Sequence, residues 1–66
     1  MKLKKLLKCI SYNQQFKIID DKTDKLLHDG VTHVDQKLLN SKIVDIITEP
    51  ETAPDTIVIY VVKEGD

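Results

Sequence analysis

The segment Thr56-Ile57-Val58-Ile59-Tyr60-Val61-Val62 constrains this chain more than any other feature. Every residue in it is β-branched or aromatic, the types that fit a pleated surface, so it reads as a strand. Alternation sends Ile57, Ile59 and Val61 to one face and Val58, Tyr60 and Val62 to the other. Both sets are apolar, and a strand apolar on both sides needs cover on both. The whole sequence has 66 residues. A chain of that size buries only roughly 60% of the surface its unfolded form exposes. It has little material for a second covering layer.

The remaining elements follow from pattern. Leu3, Leu6, Leu7 and Ile10 recur at helical spacing, which predicts an amphipathic first helix ending near Ser11-Tyr12-Asn13. Phe16–Asp20 and Lys25–Asp29 read as strands joined by the polar turn Asp20-Asp21-Lys22-Thr23-Asp24, and Gly30 as a bulge or bend where the second strand ends. Asp35 is a suitable N-cap for a short helix over Gln36–Asn40, with Val34 placed to pack on Leu39. Lys42–Thr48 is a third strand. Glu49-Pro50-Glu51-Thr52-Ala53-Pro54-Asp55 is a loop, since two prolines and three acids oppose a strand.

The expected fold class is therefore α+β. It is a single α-β-β-α-β-β domain over residues 1–66, with a four-stranded, mainly antiparallel sheet and two helices on one face. Leu6 and Leu39 are expected to hold those helices down. Two short helices can cover one sheet face only. The other face is then a candidate interface, and a homodimer through it would supply the missing burial.

Charge excludes more than it assigns. Net charge is −1, yet Lys2, Lys4, Lys5, Lys8 and Lys17 all precede the first acid. From Ile43 onward, Asp45, Glu49, Glu51, Asp55, Glu64 and Asp66 face only Lys63. All ten basic residues are lysine. Arginine supplies the bidentate fork for phosphate and guanine, so its absence weighs against nucleic-acid recognition. The lysine helix carries neither the tryptophan nor the phenylalanine of membrane-active helices. Lysines interrupt its apolar residues, so it does not read as a signal peptide, and no segment reaches the length of a membrane span. Cys9 is the sole cysteine, which excludes an internal disulfide and fits a reducing, cytoplasmic setting.

No catalytic or metal-binding constellation stands out. Cys9 with His28 or His33 lacks a marked orienting group and oxyanion hole, and Cys9 reads as a small buried hydrophobe. His28 and His33 are spaced five apart, which matches neither strand alternation nor the helical spacing of zinc motifs. They read as surface polar residues. In the Asp20–Lys25 segment, lysines stand at the third and sixth positions, against a calcium loop. The expectation is a non-enzymatic protein with no cofactor.

Phe16-Lys17-Ile18-Ile19-Asp20, Asp29-Gly30-Val31, Val34-Asp35, Leu38-Leu39, Ile43-Val44-Asp45-Ile46 and Ile57-Val58-Ile59 together span most of the chain. In this arrangement it resembles small phage and prophage proteins of low-GC Gram-positive bacteria, a group with no assigned activity. The Glu49–Asp55 loop is longer than that pattern. The resemblance implies an accessory protein of a phage or mobile element. It would act by stoichiometric binding to a host protein, such as a defence component of the CRISPR effector type. The candidate binding residues are Val58, Tyr60, Val62, Ile43 and Ile47 on the sheet, with Glu49, Glu51 and Asp55 in the acidic loop. The competing expectation is a small nucleic-acid-binding protein using Lys2, Lys4, Lys5 and Lys8.

Overall fold

The computed structural model describes residues 1–10, 13–30, 34–49 and 56–63. Its elements are helix α1 (Leu3–Leu7), strands β1 (Phe16–Asp20) and β2 (Leu26–Gly30), a 3-10 turn (Gln36–Leu38), and strands β3 (Lys42–Glu49) and β4 (Thr56–Val62). The strands form one sheet in the order β2-β1-β4-β3. β1 and β2 pair antiparallel, as do β3 and β4, while the central pair β1 and β4 runs parallel. The α+β class stands, in a mixed sheet with two antiparallel pairs and one parallel pair. The strand apolar on both sides takes a central place, where both its edges are paired.

The second helix is only a 3-10 turn, Gln36–Leu38, within a link that crosses the sheet. The end of β2, at Gly30, lies beside Phe16, whereas the start of β3, at Lys42, lies beside Val62 at the opposite end of the sheet. The link must cross three strand spacings, about 14 Å, while travelling about 17 Å along the strands. The diagonal is roughly 22 Å, which twelve residue steps (42 − 30) span with most of them extended. The local signals still act. Asp35 Oδ1 accepts the Lys37 N–H at 2.9 Å, which caps the turn as the sequence predicts.

Helix α1 is a single short turn with no side-chain cap. Its first amides instead donate to the link, Leu3 N–H to the Ser41 carbonyl and Lys4 N–H to the Leu39 carbonyl, both at 2.9 Å. Leu3, Phe16, Ile18, Leu38, Ile59 and Val61 form the buried cluster beneath it. The two leucines that close this core are Leu3 and Leu38. Leu6 and Leu39, the expected pair, are only half-buried. A helix so short exists by virtue of its packing, so its orientation follows the link that satisfies its amides rather than the centre of its apolar stripe.

Side-chain hydrogen bonds close the β1–β2 turn. Asp20 accepts from the Lys22 N–H and the Thr23 hydroxyl, each at 3.1 Å, and Asp24 takes a left-handed φ of 58°. Asparagine and aspartate tolerate that conformation better than other side chains. Gly30 ends β2 at φ 130°, a conformation open to glycine and strained for other residues. The bulge of this hairpin lies elsewhere, at Leu27, where the register shifts between Ile18 and Ile19.

Candidate protein-binding face

The helix-covered face of the sheet carries Phe16, Ile18, Ile57, Ile59 and Val61. Cross-strand partners share a face, so the register builds the opposite face row by row. One row runs Leu26, Ile19, Tyr60, Asp45, and the next runs Asp29, Lys17, Val58, Ile47. Val62 extends the apolar area beyond Tyr60, beside Lys42. No described helix or turn packs on this face.

Val58 is nevertheless only 1% exposed. Among the described residues, a cross-sheet ion pair lies close to it. Lys17 on β1 and Glu49 on β3 flank β4, and their charged groups meet at 3.7 Å. The pair must therefore pass over β4, near Val58 and the buried Thr56. The lysine stem shields apolar surface while its head stays at the rim. Both partners are about a third exposed, so the ion pair itself adds little stability. Its effect is to shut one end of the face and leave the Leu26–Ile19–Tyr60 row open beside Ile47 and Val62.

The open part is apolar and accessible. Leu26 is 51% exposed and Ile47 43%, with Ile19, Tyr60 and Val62 half-buried. Thus the structure brings together Val58, Tyr60, Val62 and Ile47 from the expected set. It separates Ile43 from them. A bulge at Val44 inserts one residue between Ile43 and Asp45, so Ile43 faces the core opposite Val61 while Ile47 faces away. Two residues of equal parity thereby land on opposite faces. Glu49 borders the open area and is held by Lys17. Glu51 and Asp55 lie outside the described residues. Ile19 and Leu26 join the face without having been singled out. Ile19's position was readable from the alternation against Ile18, whereas Leu26 needed the hairpin register.

Lys2, Lys4, Lys5 and Lys8 line one open depression of about 520 Å³ on the outside of α1. All four lysines are exposed. Cys9 is also exposed, its thiol directed to the Lys5 carbonyl at 3.7 Å, rather than buried as expected. His28 departs from expectation in the other direction. Its ring stacks on Phe16 with centroids 5.1 Å apart, and Nε2 is buried without a hydrogen-bond partner among the described residues. The bulge at Leu27 turns it toward the core. His33 lies outside the described residues.

Among the described residues, no group of three or more histidine, cysteine or acidic side chains could hold a metal. No described helix is long and apolar enough to cross a membrane. No family model, curated protein or solved structure matches the chain.

Proposed function

We propose that this protein is a non-enzymatic binding protein that dimerises through the uncovered sheet face. The observation that carries this reading is the open row Leu26–Ile19–Tyr60 with Ile47 and Val62, apolar groups on a sheet face that no described element covers. Apolar surface left in water is worth about 25 cal/mol per Å² when removed from it. A second copy of the same face removes both at once, by a self-complementary two-fold contact. A domain this small gains the burial it lacks.

The wider role rests on the sequence resemblance. The protein serves as a cytoplasmic accessory factor of a phage or mobile element and inhibits a host protein, such as a defence effector, by stoichiometric binding. The acids Glu49, Glu51 and Asp55 supply the contact for a basic host surface. Flanking genes of a phage early or anti-defence operon would support this role, and a conserved housekeeping operon would count against it.

Sedimentation equilibrium tests the dimer directly. Ile47→Lys replaces an exposed residue, so folding should survive while the dimer dissociates. Tyr60→Asp should act in the same direction with some loss of stability. A wild-type chain that stays strictly monomeric at high micromolar concentration refutes the proposed interface. Tight wild-type binding to DNA at physiological salt would instead favour the lysine-lined surface.

A further inference from the structure

β3 is one of the two edge strands, and the longer of them. Val44 is 49% exposed and Ile46 44%, with Ile47 beside them. The stretch Ile43-Val44-Asp45-Ile46-Ile47-Thr48 contains one charge, no proline and no glycine. Without Asp45 it would have the composition of a segment that stacks with copies of itself. Unpaired backbone groups on an apolar edge are a template for such pairing.

The described structure closes this edge at three successive points. The N-terminal segment lies along its beginning, where the Ile43 N–H donates to the Met1 carbonyl at 2.9 Å and Lys2 forms a bridge with Lys42. The bulge at Val44 then breaks the regular spacing of the ladder. Beyond the bulge, the Ile46 N–H donates to the Asp45 Oδ1 at 2.9 Å. Amides in an antiparallel pair alternate between facing the partner strand and facing away. Ile46 gives its hydrogen to a side chain, which marks it as an outward-facing amide already satisfied.

We infer that Asp45 is an edge guard, whose carboxylate occupies the Ile46 amide and so prevents β3 from pairing with β3 of a second copy. The register makes the assignment sharper. A two-fold antiparallel pairing keeps each face of the sheet on its own side, so it sets a residue against its own copy, and the centres within the apolar stretch beyond the bulge are Asp45, Ile46 and Ile47. The first option opposes two carboxylates, and the third opposes Asp45 with Glu49. Like charges directly opposite are unfavourable. The second has no such clash, and its central hydrogen bonds need the Ile46 amide that Asp45 holds. Asp45 therefore opposes all three, by charge in two and by hydrogen bonding in the one that remains.

The test compares Asp45→Ala, Asp45→Asn and Asp45→Ala with Thr48→Lys, each followed by light scattering over a concentration series and by circular dichroism for folding. The alanine variant should form growing assemblies with added strand signal, at concentrations where the wild type keeps a constant mass. Asparagine keeps an oxygen for the Ile46 amide but loses the charge, so it should assemble less readily than alanine and more readily than wild type. Adding Thr48→Lys to the alanine variant returns a charge to the same edge and should suppress the assemblies. An alanine variant with the mass profile of wild type overturns the inference. Asparagine assembling as readily as alanine would overturn the role of the hydrogen bond. Assemblies that persist in the double variant would show that growth proceeds through another surface.

Discussion

Leu3→Ala and Leu6→Ala together examine how helix α1 is seated. Leu3 is completely buried within the cluster that includes Ile18, Ile59 and Val61. Leu6 is half-buried at the margin of that cluster. Truncating a buried leucine costs about 2–5 kcal/mol, depending on how far the cavity collapses. The full burial of Leu3 places it near ~3–4 kcal/mol on that scale. Leu6 forfeits only part of the ~1.5–3 kcal/mol of a fully buried side chain, or about 1 kcal/mol. At roughly 0.05–0.15 kcal/mol per residue, a chain of 66 residues has about 3–10 kcal/mol in total. Leu3→Ala therefore removes a large share of the stability, whereas Leu6→Ala is tolerated. In urea, with a slope near 1 kcal/mol per molar for a chain this short, the midpoint should fall by about 3 M for Leu3→Ala. The corresponding fall for Leu6→Ala is about 1 M. Equal midpoints, or a larger loss at Leu6, would refute the seating of the helix on Leu3.

Two further outcomes are expected. Changing Lys2, Lys4, Lys5 and Lys8 together to glutamine should leave protein binding intact and move the melting temperature little, because Lys2 leaves the positive end of α1 while Lys4, Lys5 and Lys8 leave its last turn and C-cap, where cations are favourable. A salt-dependent affinity for DNA that disappears in this variant would contradict that expectation. His28→Phe should raise stability by about 1 kcal/mol, since it keeps a ring against Phe16 and removes a buried nitrogen with no partner among the described residues. Chemical denaturation measures this, and a loss of stability would mean that the nitrogen is satisfied in solution.

Sequence alone determined the elements whose causes are local. β-branching made Thr56–Val62 a strand, Asp35 capped the turn that follows it, and Asp20 with Asp24 closed the first hairpin. The apolar character of both faces of β4 was equally legible, because alternation depends on nothing beyond the strand. Tertiary structure decided which strands are neighbours, and with that the site. The parallel pairing of β1 with β4 set Ile19 beside Tyr60, a contact between residues far apart in sequence. A 3-10 turn stands where a helix was expected, and Leu3 replaced Leu6 as the anchor of α1. One bulge at Val44 sent Ile43 to the core and left Ile47 outside, and another at Leu27 turned His28 inward. Side-chain periodicity propagates along a strand only until a residue is inserted. Whether one is inserted depends on the twist and pairing of the neighbouring strand, which the residues of a single strand do not encode.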